Sequence, residues 1–264
     1  MARLQIVHTT RLAYDEPVNE TVMETRLRPL DGVGQRCTSF RLDVTPSATL
    51  REYRDGFGNH VHYFNHLPAH REVVVTARSS VETAIEHNGH RDGDEFPEEY
   101  LGFRSPVLDL PGIRRMAERT RRDTTLESLE SLTRHIHQHF EYRPEITDVY
   151  TAVDEVLHLR SGVCQDFAHL FVAAARAMGI PCRYVSGYIY PGGGRVGTAA
   201  SHAWAEGWVD GRWLGLDPTN PVRADEYHVR VATGRDYRDV PPTRGVYLGR
   251  AKETMEVTVE VTLG

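Results

Sequence analysis

Lysine is nearly missing from the sequence: of 31 basic residues in 264, only Lys252 is lysine and the other 30 are arginine. Codon usage accounts for that bias as well as function does. Cysteine is also scarce. Cys37, Cys164 and Cys182 are too few and too widely spaced for a disulfide framework or a paired-cysteine zinc site, so free thiols in a reducing compartment are expected. No window approaches the roughly 20 apolar residues that a membrane span needs. The opening "MARLQIVHTT" lacks the charged, apolar and small-residue regions of a signal peptide, and a cytoplasmic protein is expected. The basic residues never mass into a block and the net charge is −6, so there is no electrostatic footprint for nucleic acid or for an anionic membrane. Repeats and low-complexity tracts are absent as well. What is present is an ordinary folded composition, 40% apolar and 26% charged, with enough chain for one large domain or two small ones and with a small molecule or peptide as the expected partner.

The pattern changes character once, across "DGDEFPEEYLGFRSPVLDLPG" (92–112), where acids, glycines and prolines mix without a steady period. Before it, alternating runs such as "RLQIVHTTRLAYD", "ETVMETRLRPL", "TSFRLDVTP", "HVHYF" and "EVVVTARSSV" are broken by Gly, Pro, Asp and Asn at the intervals of a β-sandwich or small barrel. After it, "GIRRMAERTRR" and "TLESLESLTRHIHQHFEY" carry helical spacing, and "TAVDEVLHL" opens with Thr151 and Asp154 at capping-box separation. The C-terminal "ETMEVTVEVTLG" alternates strictly, with Met255, Val257, Val259, Val261 and Leu263 on one face, and predicts a strand. The expected division is 1–95, an all-β domain, and 96–264, an α+β domain that includes this last strand.

In "SGVCQDFAHLFVAAARAMGIP" the apolar residues Phe167, Ala168, Leu170, Phe171, Ala174, Ala175 and Met178 recur at helical steps, and Gly179 and Pro181 end the helix. Cys164 falls in its first turn, where unpaired N–H groups and the positive end of the helix dipole favour a thiolate. Taken alone, Cys164 is as well explained as a small buried hydrophobe; a base is needed to make it a nucleophile. "SHAWAEGWVDGRWLGLDPTN" reads as a hairpin turned at Asp210-Gly211. If Val209 faces Arg212, then Trp204 faces Asp217, and His202 sits one diagonal step from Asp217 on the same sheet face, roughly 7–8 Å away and within side-chain reach. Such a pair orients an imidazole. Trp204, Trp208 and Trp213 share that face and either wall a cleft or pack against the helix.

These segments resemble the transglutaminase-like superfamily of papain-type cysteine enzymes, and specifically its bacterial two-domain branch. "SGVCQDFAHLFVAAARAMGIPCRYVSGY" is similar to the nucleophile segment, "SHAWAE" to the histidine segment and "LDPTN" to the aspartate segment. "RLAYDEPVNETVMETRLRPL" and "DGFGNHVHYFNHLP" resemble the branch's N-terminal β domain, and "VATGRDYRDVPPTRGVYLG" its C-terminal stretch. The resemblance implies an α+β fold, a β-sandwich or barrel-like domain followed by a core of helices packed on an antiparallel sheet. It implies Cys164, His202 and Asp217 as a catalytic triad that forms a thioester with an amide substrate, peptide or protein. The acceptor is water in a peptidase or amidase, the preferred reading, or an amine in a transglutaminase. The Cys164 N–H is the natural oxyanion donor, with Gln165 and Trp204 as further oxyanion or substrate-binding candidates. No cofactor or metal is expected.

A competing class is a histidine-rich metal site, since the chain holds 14 histidines. His60 and His62 would share a strand face and His135 and His139 a helix face, both geometries that permit zinc. No HExxH-type motif accompanies them, and Pro68 disrupts any helix through His66 and His70. A third class, a scaffold that keeps the fold without catalysis, is opposed by the complete triad.

Overall fold

The computed structural model describes residues 1–84, 97–190, 192, 195 and 201–264; the expected boundary at 95/96 lies outside them. Two four-stranded antiparallel sheets form a sandwich. One has the order β15-β1-β6-β3, with β1 Ala2–Val18, β3 Gln35–Thr45, β6 His70–Thr83 and β15 Glu253–Leu263. The other runs β14-β2-β5-β4, with β2 Glu20–Thr25, β4 Arg51–Arg54, β5 His60–His66 and β14 Thr243–Leu248. Leu12, Tyr14, Val18, Met23, Phe64, Val73 and Val75 fill the space between them. Each of the alternating runs read from the sequence is a strand here, and β4, wholly exposed, is the one with no apolar period to announce it.

The C-terminal strand, expected within 96–264, completes the N-terminal sandwich instead: β15 pairs with β1 from Tyr14↔Glu253 to Leu4↔Leu263, and β14 pairs with β2. Without these two strands β1 and β2 would both be open edges, with rows of unpaired N–H and C=O groups.

The second unit is a five-stranded antiparallel sheet of order β12-β11-β10-β9-β13, comprising β9 Cys182–Ile189, β10 His202–Val209, β11 Arg212–Asp217, β12 Val222–Arg223 and β13 His228–Gly234. Four helices, α1 Pro111–Thr120, α2 Thr125–His139, α3 Val153–Leu159 and α4 Cys164–Ala177, build its helical layer. Strand-like pairs Glu141–Tyr142 (β7) and Ser161–Gly162 (β8) run parallel just ahead of α4. Helix α4 is buried almost all round: Leu170, Phe171 and Ala174 join Ile113 and Met116 of α1, Leu129 and Ile136 of α2, and Cys182, Ala205 and Leu216 of the sheet in one core. Each large side chain fully buried there contributes roughly 1.5–3 kcal/mol. Gly179 ends α4 at φ +80°, as its place in the sequence predicts. The Thr151/Asp154 capping box does not form. Helix α3 starts one residue later with Ala152 as N-cap, and the Thr151 hydroxyl bonds the Asp148 backbone and carboxylate. The capping box is instead at α2, between Thr124 and Glu127.

The two units share β1. Its even-numbered residues all point one way, yet Leu12 and Tyr14 lie inside the sandwich while Ala2, Leu4 and Ile6 pack on Tyr188, Val229 and Val231 of the second sheet. At the crossover stands His8, hydrogen-bonded to Thr10 and to the Tyr188 hydroxyl. Two side-chain amides continue the junction along the edge strand β13. Gln35 accepts from the Arg230 N–H and donates to the Arg230 carbonyl, and Asn59 does the same for Thr233. Gln35 and Asn59 thus stand where a neighbouring strand's peptide groups would be, and the edge is closed.

Candidate active site

The nucleophile candidate is placed by the turn that precedes it. Asp166, at the third position of α4, accepts the Val163 N–H at 2.8 Å and the Thr147 hydroxyl at 2.6 Å, which fixes the first turn. A Cβ on Gly162 would lie 2.6 Å from the Asp166 carboxylate, so the close approach requires glycine. Cys164 is the first residue of the helix and 9% exposed, with its backbone N–H at the end of the helix that favours negative charge.

The β10–β11 hairpin turns at Asp210 and Gly211, both with positive φ, and pairs Val209 with Arg212 and Ala205 with Leu216, the register expected from the sequence. That register brings His202 Nε2 to 2.8 Å from Asp217 Oδ2, with both side chains fully buried. Asp217 is saturated with donors. Oδ1 accepts the backbone N–H groups of Thr219 and Asn220, and Oδ2 accepts the Asn220 amide at 2.9 Å and His228 Nε2 at 3.3 Å besides His202. His228 is held from its other side by Asp225 at 2.9 Å. Burial opposes the charge of Asp217, but the charge and hydrogen bond of His202, then the hydrogen bond and charge of His228, outweigh burial and hold the Asp217 carboxyl well below its ordinary range. For His202 burial opposes the charge, but the Asp217 charge and hydrogen bond, with a contribution from Cys164, raise the ring to about 10. Its Nδ1 is buried without a hydrogen-bond partner, and Cys164 is the neighbouring thiol. The three residues thus form a line, carboxylate to imidazolium to thiol, at the N-terminus of a buried helix.

Around the thiol the wall is phenolic. Tyr184, with Tyr142 and Tyr237 packed alongside, shares a cluster with Cys164, Ala168 and Ala203. Tyr142 is brought there by β7, which aligns it with Gly162, two residues before Cys164. Burial, then the charge of Cys164, pushes Tyr142 up to about 12, so its hydroxyl stays a donor. His169, one helical turn beyond Gln165, accepts the Tyr237 N–H, and burial lowers it to about 3, so the ring is neutral.

The two further candidates differ in where their side chains go. Gln165 donates its amide to the Val149 carbonyl at 3.3 Å. Trp204 is fully buried with Val185 and Ala224, on the sheet face opposite the one through which Ala203 and Ala205 meet α4, where its indole stacks on His202 at 6.1 Å and meets His228 edge-on at 5.3 Å, so it packs against the imidazole–carboxylate pair. Trp208 and Trp213 meet edge to face at 5.0 Å on that same far face, with the Arg183 guanidinium 4.4 Å from Trp213. The histidines of the metal reading also do other work: His60 bonds Glu52 and His62 packs on Phe40. His228 and Tyr142 escaped the sequence reading because β13 and β7 reach the site from non-adjacent parts of the chain. Asn220 had a local signal, three residues after Asp217 in "DPTN".

Residues 114–218 match the family model of the transglutaminase-like superfamily, and residues 4–82 match that of the bacterial transglutaminase-like N-terminal region. An uncharacterized protein of Mycobacterium leprae is 34% identical over 99% of this chain and 99% of its own length. One from Mycobacterium tuberculosis is 35% identical over 98% and 92%. The chain belongs to the transglutaminase-like superfamily. Its matched core contains Cys164, His202 and Asp217 and ends one residue past the aspartate, so His228 lies beyond it. The transglutaminase-like fold extends over the whole chain in a solved structure from Cytophaga hutchinsonii, described as a candidate cysteine protease. It has a TM-score of 0.81 at 22% identity and covers 100% of this chain and 91% of its own. A protein-glutamine gamma-glutamyltransferase of Pseudomonas aeruginosa shares 35% identity over 103 residues, which are 34% of this chain and 15% of the larger protein.

Proposed function

We propose that this transglutaminase-like protein is a cysteine-dependent amide hydrolase, a peptidase or amidase. The observation that carries the reading is the buried His202, held by Asp217 through Nε2 and turned toward Cys164 with Nδ1. The Cys164 thiolate attacks the amide carbonyl carbon, and negative charge moves to the carbonyl oxygen. In this reading the Cys164 N–H and the hydroxyl of Tyr142, which packs beside the thiol, are the donors that receive it. The imidazolium of His202 gives its proton to the departing nitrogen, the C–N bond breaks, and a thioester remains. Water then attacks the thioester, His202 takes its proton, and Cys164 leaves as thiolate. Asp217 orients the imidazole, and His228 and Asn220 act through Asp217 as positioning residues.

Water is favoured as acceptor because Cys164 is only 9% exposed and the smaller nucleophile needs the least access to a thioester formed there. The second reading, a primary amine as acceptor, rests on the stretch shared with the Pseudomonas gamma-glutamyltransferase. Incubation with general and glutamine-containing peptide libraries, with and without a labelled primary amine, separates the two by mass. Cleavage dependent on Cys164 is the expected result, with loss of turnover in Cys164→Ala and His202→Ala and a measurable residue in Asp217→Ala. Amine adducts that outpace hydrolysis would assign transglutamination, and full turnover by Cys164→Ala would end the cysteine mechanism.

A further inference from the structure

The motif "HIHQH", residues 135–139, lies on α2 away from the residues assigned to the reaction. It places His135 and His139 one turn apart, with the imidazoles stacked at 4.1 Å and 25° between planes. Sequence alone allows zinc there. The surroundings argue for the opposite charge. A cavity of about 470 Å³ between α1, α2 and α3 is lined by these two histidines, by His158, and by Arg115, Arg119 and Arg160; Asp154 is its one carboxylate. Met116 and Leu157 add apolar surface.

Carboxylates are not in short supply in a chain with 37 acidic residues, and arginines elsewhere have found them. Arg114 grips Asp109 through two hydrogen bonds, and Arg104, Arg183, Arg195 and Arg223 each hold a carboxylate within 2.8 Å. Arg115, beside Arg114 in sequence, has no such partner among the described residues, nor have Arg119 and Arg160; Arg160 lies over the Phe140 ring at 5.5 Å. Arg115 and Arg119 are four apart on α1, an arrangement of like charges that costs an isolated helix about 0.2–0.5 kcal/mol. The proton affinity of His135 is lowered first by burial and then by the positive charges of His139, Arg119 and Arg160, so these groups face one another. A divalent cation entering this cavity would meet three permanent positive charges. An anion would relieve their repulsion.

We propose that the α1–α2–α3 cavity is a binding site for a compact multivalent anion, with phosphoryl or pyrophosphoryl groups as the ligand chemistry. Guanidinium forks match phosphate oxygens two at a time, and His135 and His158 add further ring nitrogens, whereas His139 already donates Nδ1–H to the His135 carbonyl. The volume lies in the range of roughly 300–1,000 Å³ typical of small-molecule sites. The site is separate from the thiol chemistry and uses none of its residues.

Isothermal titration of the full chain with sodium tripolyphosphate tests this. Saturable one-site binding is expected, weakened at least tenfold in Arg119→Ala, abolished in Arg119→Glu, and unchanged in Arg114→Ala, whose side chain is engaged with Asp109. These arginines are exposed, and circular dichroism with thermal melting checks that each variant folds. Raising ionic strength should weaken the binding, since the charges are solvent-accessible. Absence of saturable binding to millimolar concentration overturns the proposal, as does equal affinity in Arg119→Glu. Zinc chloride binding that is lost in His135→Ala would overturn it in favour of the cation.

Discussion

Three cysteines in one chain make a built-in comparison of what surrounds a thiol. Burial raises Cys182 to about 12, and burial likewise raises Cys37, so neither offers much thiolate at neutral pH. Cys164 alone has an imidazolium beside it, and His202 keeps that proton up to about pH 10. Iodoacetamide at pH 7 is therefore expected to label Cys164 at least tenfold faster than the other two, because the thiolate is the nucleophile. His202→Ala should slow the labelling of Cys164 at pH 7 and bring it toward that of Cys37, while Cys182 stays slow because it is fully buried. Equal labelling of the three, mapped by mass spectrometry, refutes the thiolate–imidazolium pair. Cys164, His202 and Asp217 were legible in the sequence because each depends on local rules: a helix start, and a two-residue turn whose register follows by counting. Tyr142 and His228 were not, because β7 must find β8, and β13 must find β9, before either side chain has a neighbour to reveal it.

At the level of elements the same division holds. The alternation in 253–263 specifies a strand, and specifies which face is apolar, but contains nothing that chooses β1 as its partner. Tertiary pairing across the whole chain makes that choice, against the loop-closure entropy it costs, and it places the last strand in the first unit. The junction at β13 shows what such long-range choices require. Asn59 is completely buried and occupied on both sides by the Thr233 peptide groups. Its replacement by alanine leaves a buried N–H and C=O without partners, which costs about 1–3 kcal/mol. Asn59→Ala is therefore expected to lower the melting temperature by several degrees while Asn65→Ala, whose amide reaches Glu20 at the surface, changes it little. Equal melting temperatures for the two variants would show that water replaces the amide at no cost and that the edge of β13 needs no cover.

For the molecule as a whole, the sharing of β1 between two cores ties the stability of both units to His8. Burial lowers His8 to about 4, and lowers His169, beside the site, to about 3, so both rings are neutral in the folded protein at any pH above those values. An unfolded chain takes up protons at these positions near 6.5. Above pH 6.5 neither state is protonated there and the histidines have no effect on stability. As the pH falls from 6.5 toward 4 the unfolded state binds protons that the folded state refuses, and each ring removes on the order of 1.4 kcal/mol per pH unit. His60, His62 and His135, also lowered by burial, add smaller losses of the same sign. The His202–Asp217 pair does not offset them in this window: His202 is charged in both states below 6.5, and the contribution of Asp217 is lost only when the pH drops through the ordinary carboxylate range. Urea unfolding across pH 7 to 4 should therefore show a steady loss of stability well before carboxylates titrate. His8→Gln keeps hydrogen-bonding groups for Thr10 and Tyr188 but cannot take a proton, so its loss over the same range should be smaller by about 3 kcal/mol. An identical slope in His8→Gln would mean that the ring is not held neutral at the β1 junction, and would move the acid sensitivity to the second unit and His169.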